Sequence, residues 1–149
     1  MIRNGFSGKT YLVTGGAGFI GSNFIKLLFH TFHVKNNMSD SLLGKFPKSA
    51  SKNRLEVMNI DCLTYAGNTE NIAEVIGLPG YEFSNTDIRD STGVSKIFER
   101  FQPEYVVHFA AESHVDRSIT GPDAFVDTNI VGTHALLKSA KKVWNFQYV

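Results

Sequence analysis

The sequence predicts an α/β fold: a Rossmann-like, doubly wound parallel sheet, incomplete, of about five strands in the order 3-2-1-4-5. Three observations predict it. Short apolar runs alternate with segments of helical periodicity, which is the pattern of βαβ units with crossovers. A glycine cluster, Thr14-Gly15-Gly16-Ala17-Gly18-Phe19-Ile20-Gly21, separates the first run from the first helical segment. Tyr105-Val106-Val107-His108-Phe109-Ala110 is a continuous apolar run, suited to a strand buried on both faces.

Each element follows in order. Lys9-Thr10-Tyr11-Leu12-Val13 is a β-type run that stops at the glycines. Ile20, Phe24, Leu27 and Leu28 recur at helical spacing. Residues 36–53 are rich in Ser, Lys and Asn, contain Gly44 and Pro47, and lack periodicity, so they read as a loop insertion. Leu55-Glu56-Val57-Met58-Asn59-Ile60 reads as the second strand, and residues 69–76 as a short helix stopped by Gly77. Residues 81–84 form a weak third strand. Val94, Ile97, Phe98 and Phe101 mark an amphipathic helix stopped by Pro103. Pro122 suits the first turn of a long helix reaching about Val143, and residues 146–149 open a fifth strand.

Composition sets the outer limits. The 149 residues suit one domain, and a hydrophobic share of 42% supports a packed core. A net charge of +1 gives no basic surplus for nucleic acid and no polybasic run for anionic lipid. Cys62 is the sole cysteine, so no internal disulfide forms and a reducing compartment fits. No apolar stretch approaches the roughly 20 residues that span a bilayer, and no signal core is visible. The expectation is a soluble, cytoplasmic protein that binds neither nucleic acid nor membrane and holds no metal.

The glycine cluster carries the chemistry. Gly16-x-Gly18-x-x-Gly21, preceded by Gly15, fits the dinucleotide fingerprint. Such glycines permit a tight turn, a close approach of backbone to pyrophosphate, and close packing of helix on strand. The helix N-terminus then offers N–H groups and a positive dipole end to the phosphates. No Gly-Lys-Ser/Thr follows, which disfavours a triphosphatase loop. The fingerprint also asks for an acidic residue about 20 positions on, holding a ribose hydroxyl. Asp61 ends the second strand but stands 40 positions after Gly21, and residues 36–53 account for nearly all of the excess. Asp61 therefore reads either as the ribose ligand or as a turn cap. A carboxylate there repels a 2′-phosphate, favouring NAD over NADP.

From Asp61 onward the sequence resembles a known family. Asp61-Cys62-Leu63-Thr64-Tyr65-Ala66-Gly67-Asn68 is similar to the ribose and adenine loop of the dTDP-glucose 4,6-dehydratases, NAD-dependent members of the extended short-chain dehydrogenase/reductase superfamily. Asp87-Ile88 resembles their adenine-contacting pair. Phe109-Ala110-Ala111-Glu112-Ser113-His114-Val115-Asp116-Arg117-Ser118-Ile119 resembles the segment after their fourth strand, and Thr128-Asn129-Ile130-Val131-Gly132-Thr133 the start of the next helix. The resemblance implies that Phe19 and Ile20 lie against the pyrophosphate, and that Asp61, Cys62, Leu63 and Thr64 surround the adenosine ribose. It implies that Asp87 and Ile88 contact adenine, that Phe109, Ala110, Ala111, Glu112 and Ser113 line the nicotinamide side, and that Thr128 touches the cofactor. Ser113 and Asp116 are implied sugar-nucleotide contacts. Single residues have plainer readings. Ser113 reads also as a loop hydroxyl bonded to its own backbone, and Asp116 as a partner of Arg117 or a turn cap. His108 reads as a satisfied core residue, Cys62 as a small packed side chain, and His114 is open.

The family's reaction, as the resemblance implies it, oxidises the sugar at C4 by hydride transfer to NAD, eliminates water across C5 and C6, and returns the hydride to C6. A tyrosine with a lysine four residues later serves as base, and an Asp-Glu pair handles elimination. Four residues after Tyr11, Tyr65, Tyr81 and Tyr105 stand Gly15, Thr69, Asn85 and Phe109, so no Tyr-x-x-x-Lys occurs in the 149 residues. No catalytic residue is assigned. The expectation is the N-terminal portion of an NAD-binding domain, without the C-terminal sugar-nucleotide lobe and inactive alone. Two other readings stand: a non-catalytic NAD-binding or dimerising fragment, and another sugar-nucleotide epimerase or dehydratase. The resemblance also implies a homodimer packed through the helix that starts near Pro122.

Overall fold

The computed structural model describes residues 9–35 and 54–145. The expected insertion at 36–53 and the expected strand at 146–149 lie outside them. Four parallel strands form one sheet in the order β3-β2-β1-β4: β1 (Lys9–Thr14), β2 (Leu55–Asp61), β3 (Tyr81–Asn85) and β4 (Tyr105–His108). This matches the first four places of the predicted order. The reversal after β1 puts the third connection on the far side of the sheet start and opens a crevice between the ends of β1 and β4.

Alternation along the strands splits the core into two layers. Leu12, Met58 and Ile60 face one side and pack on Val94, Ile97 and Phe98 of α2 (Ser91–Phe101) and on Leu136 and Ala140 of α5 (Thr133–Trp144). Val13, Leu55 and Val57 face the other and pack on Ile25 and Phe29 of α1 (Phe19–Lys35), with Ile72 and Val75 beneath. Each fully buried aliphatic or aromatic side chain contributes about 1.5–3 kcal/mol. Asp90 caps α2 by accepting from Thr92 and Gly93 N–H, and Gln102, at φ 52°, ends it one residue before Pro103. The Trp144 indole donates to the Pro103 carbonyl at 2.6 Å, fastening the end of α5 to the start of β4.

Four expectations need correction. First, β4 is not buried on both faces: Tyr105 and His108 are exposed, and Val106 and Val107 half-buried. Among the described residues β4 pairs only with β1, so it is the sheet's outer strand. Second, residues 69–76 form not a regular helix but a 3-10 turn, Thr69–Ile72, followed by turns to Gly77, whose φ is +86°. Third, the segment after β4, to which no helix is assigned before Pro122, contains α3 (Val115–Thr120). Fourth, the long helix near Pro122 is one helical run, residues 123–144, but not uniform. It comprises α4 (Asp123–Phe125), a π segment (Val126–Gly132) and α5. No helix of the described residues is long and apolar enough to cross a membrane, and no group of three or more potential metal ligands occurs among them.

Candidate functional site: a cleft at the carboxyl edge of the sheet

All four strands deliver their C-terminal ends to one cleft. At β1 the chain turns through Gly15, whose φ of +68° is left-handed. A Cβ there would lie 2.6–2.8 Å from the Ala110 and Phe109 backbone, so both conformation and space require glycine. The Gly15 N–H continues the ladder to the Ile60 carbonyl at 2.8 Å. At Gly21 a Cβ would strike the Gly15 carbonyl oxygen, so α1 packs directly on the turn. Gly18 differs: its nearest neighbours would be Gly15 O at 3.3 Å and Ala66 O at 3.8 Å, and it lines the cleft. The protein's own packing leaves Gly18 the most room of the three.

Asp61 braces the turn from β2. Its Oδ2 accepts from the Ala17 N–H at 2.9 Å and its Oδ1 from the Leu63 N–H at 2.8 Å. It is therefore a turn cap, and it also lines the cleft. Each carboxylate oxygen retains a second lone pair for a hydroxyl donor. The Ala17 carbonyl accepts from Asn68 N–H and Asn71 Nδ2, closing the β2 loop onto the glycines. Cys62, Thr64, Ala66 and Gly67 continue this wall, while Leu63, at φ 52°, turns inward against the α1-side core and is not part of the lining. Cys62 is exposed, not packed as expected, because the chain leaves the sheet immediately after Asp61. Partial burial, followed by the negative charges of Asp87 and Asp61, pushes its thiol pKa up, so the thiolate is disfavoured.

The β3 wall consists of Thr86, Asp87, Ile88 and Arg89. Arg89 grips the Asp87 carboxylate through Nε and Nη2 at 2.6–3.1 Å, which holds Asp87 below the usual carboxylate range. Ile88 is mostly core, packed beside Gly132. The opposite wall, from β4, comprises Phe109, Ala110, Ala111 and Glu112, with Thr128 contributed by the π segment. The Ala110 N–H donates to Thr14 Oγ1 at 3.2 Å. Asn129 clasps Glu112 twice, accepting its N–H at 2.8 Å and donating to its carbonyl at 2.9 Å. The cleft thus gathers Gly15, Gly18, Asp61, Cys62, Thr64, Asp87, Ile88, the 109–112 wall and Thr128.

Other predicted residues lie outside that lining. Phe19 and Ile20 begin α1 and are strongly exposed, 82% and 65%. Ser113 and Asp116 are exposed beyond the β4 wall, and Arg117 lies over the Tyr65 ring at 4.1 Å. His108 is satisfied at both ring nitrogens, as expected, but it is an exposed residue of the outer strand, not a core one. Sequence reasoning missed Ile60, Thr86 and Arg89, and it placed Ala66 and Gly67 in the ribose and adenine loop without assigning either a contact. Gly67 had a usable signal: a side chain there would meet Asp61 Oδ1 at 2.8 Å. Arg89 had none, since its place depends on folding back onto Asp87.

Comparison with known proteins decides the family. A family model described as GDP-mannose 4,6 dehydratase matches residues 46–149. The chain belongs to the GDP-mannose 4,6-dehydratase family. This member is 48% identical, over 90% of its length, to the dTDP-glucose 4,6-dehydratase of Salmonella typhimurium, and covers 31% of that protein. It is 46% identical to the Haemophilus influenzae dTDP-glucose 4,6-dehydratase, covering 90% of itself and 33% of that relative. The chain therefore spans about a third of the length of the curated relatives it matches. Among solved structures, a Streptomyces venezuelae dTDP-glucose 4,6-dehydratase crystallised with NAD is 40% identical, with TM-score 0.70 over 91% of this chain and 36% of that one. A Thermotoga maritima UDP-glucose 4-epimerase with UDP-glucose is 30% identical, with TM-score 0.68 over 90% of this chain and 34% of the other.

Proposed function

We propose that these residues are the N-terminal portion of the NAD-binding domain of a dTDP-glucose 4,6-dehydratase, and that the cleft holds NAD. The single observation that carries the proposal is the convergence of the glycine turn, Asp61, the Asp87-Ile88 pair and the 109–112 wall on one cleft. The residues fit the cofactor. Gly18 leaves the turn smooth where a pyrophosphate approaches, and the first turn of α1 has N–H groups without intrahelical acceptors. Asp61 is placed to accept a ribose hydroxyl and to repel a 2′-phosphate. Asp87 is neutralised by Arg89, so the adenine end of the cleft is not dominated by one charge. When bound, NAD supplies a hydride acceptor; the chain's own part is to bind and orient it.

Ser113 and Asp116 are proposed to meet the nucleotide-sugar, next to the nicotinamide end. No Tyr-x-x-x-Lys occurs in the sequence, so these residues alone are expected to give no 4-keto sugar. A second copy is proposed to pack on the helical run at 123–144, which exposes Val126, Ile130 and Leu137. Calorimetric titration tests the reading. NAD is expected to bind, and NADP at least about tenfold more weakly, the scale of one lost charged contact. Absence of heat with NAD, or equal affinity for NADP, contradicts it.

A further inference from the structure

His108 ends β4 with both ring nitrogens engaged. Nδ1 lies 2.6 Å from Thr14 Oγ1, and Nε2 lies 3.0 Å from Thr133 Oγ1. Counting hydrogens fixes the direction at Nε2, and a neutral ring, which partial burial favours, then fixes it at Nδ1. The Thr133 hydroxyl has one proton, donated to the Asn129 carbonyl at 2.7 Å. Thr133 Oγ1 must therefore accept from His108 Nε2–H. Thr14 Oγ1 accepts from the Ala110 N–H, which leaves its own proton for His108 Nδ1. The assignment is a neutral imidazole protonated on Nε2. Asn129 then clasps Glu112 through both side-chain atoms. One directional series runs from the Ala110 N–H through Thr14, His108 and Thr133 to the Asn129 carbonyl, and the Asn129 side chain joins it to Glu112. It leaves the cleft's β4 wall at one end and returns to the same wall at the other.

We infer that His108 is a positioning residue, whose two ring nitrogens lock the 110–112 wall between the end of β1 and the junction of the π segment with α5. The inference rests on reading the cleft as the NAD site. A dinucleotide straddles the reversal of strand order, with its adenosine on the acidic β2 side. The β4 wall then meets the other half. His108 acts chiefly on that half, through the 110–112 wall; its bond to Thr14 adjoins the glycine turn but none of its contacts reaches the adenosine wall.

The test compares NAD with ADP, which fills only the adenosine and pyrophosphate places, by calorimetry on the full chain. In His108→Leu both bonds are lost. NAD is expected to bind about tenfold more weakly, the scale of buried hydrogen-bonding groups left unpaired, and ADP within about twofold of wild type. His108→Asn offers a carboxamide oxygen near the Nδ1 position and is expected to recover part of the loss. Thr133→Val keeps shape, removes the Nε2 acceptor together with the hydroxyl's bond to the Asn129 carbonyl, and is expected to weaken NAD by a smaller factor with a melt close to wild type. It serves if His108→Leu does not fold. Equal weakening of NAD and ADP in a folded variant overturns the inference, and so does undiminished NAD affinity in Thr133→Val and His108→Leu. No NAD heat from the wild-type chain instead refutes the reading of the cleft, and the inference with it.

Discussion

Replacing Gly15 and Gly18 separately with alanine distinguishes a glycine that the fold requires from one that the ligand requires. At Gly15 the φ of +68° puts a Cβ in the left-handed region, which costs about 1–2 kcal/mol. That Cβ would also press to 2.6–2.8 Å on the Ala110 and Phe109 backbone. Backbone cannot swing aside as a flexible side chain can, so overpacking adds about 1–3 kcal/mol. The sum, about 2–5 kcal/mol, is a large share of the roughly 5–15 kcal/mol that stabilises a domain. At about 2–4 °C per kcal/mol for a chain of this size, the melting temperature should fall by about 10 °C. At Gly18 the tightest contact is 3.3 Å, which a few tenths of an ångström relieve. Alanine also lowers the unfolded chain's entropy, which offsets about 0.4–1 kcal/mol. The melt should therefore stay within about 3 °C, while the methyl stands between the turn and a pyrophosphate. NAD affinity should drop about tenfold or more, an overpacking cost of at least ~1.4 kcal/mol. Differential scanning fluorimetry and calorimetric titration on both variants read the two effects. An unchanged melt for Gly15→Ala, or undiminished NAD affinity for Gly18→Ala, refutes the reasoning.

Other outcomes follow from the same geometry. Asp61→Ala leaves the Ala17 and Leu63 N–H groups without their acceptor and should cost about 3 kcal/mol in a urea melt as well as NAD affinity. Asp61→Asn should keep more of the stability and narrow the preference for NAD over NADP. Partial burial of its ring against β1 and α5 holds His108 below its ordinary 6.5, so the unfolded chain takes up the proton first. Its stabilisation is complete above about pH 6.5, declines as pH falls, and levels off below the folded value. A pH series of urea melts should show that decline, reduced in His108→Asn; an unaltered profile in the variant contradicts the assignment. Cys62 is exposed but its thiol pKa is raised, so iodoacetamide should label it more slowly near neutral pH than a small-molecule thiol, and NAD should slow it further.

The elements that sequence revealed are those with a local cause. Leu55 to Ile60 and Lys9 to Val13 are apolar runs between breakers, and Val94, Ile97, Phe98 and Phe101 keep one helical face; all became what they predicted. The glycine spacing located the turn because steric demand at Gly15 and Gly21 is written in residue type. What escaped depends on distant partners. α3 has six residues, four of them β-branched apolar or hydroxyl types, and its N-cap His114 makes no side-chain capping bond, so nothing local announces it. No residue type in the π segment marks its wider winding, and its place next to the Asn129–Glu112 clasp emerges only when β4 is present. The run from Tyr105 to Ala110 was apolar enough for a central strand, yet burial is set by neighbours, and β4 has one among the described residues. Arg89 entered the site because it turned back on Asp87, and Cys62 left the packed interior because β2 ends at Asp61.

The most direct test of the cleft as the NAD site is a titration of the isotopically labelled chain with NAD, followed through its backbone amide resonances. A second groove lies between α2 and α5, lined by Lys96 and Lys138 among others; shifts are expected at Gly18, Phe19, Ile20, Asp61, Cys62, Ile88 and the 110–112 wall, with that groove unmoved. Shifts confined to that groove, or none at millimolar NAD, contradict the account.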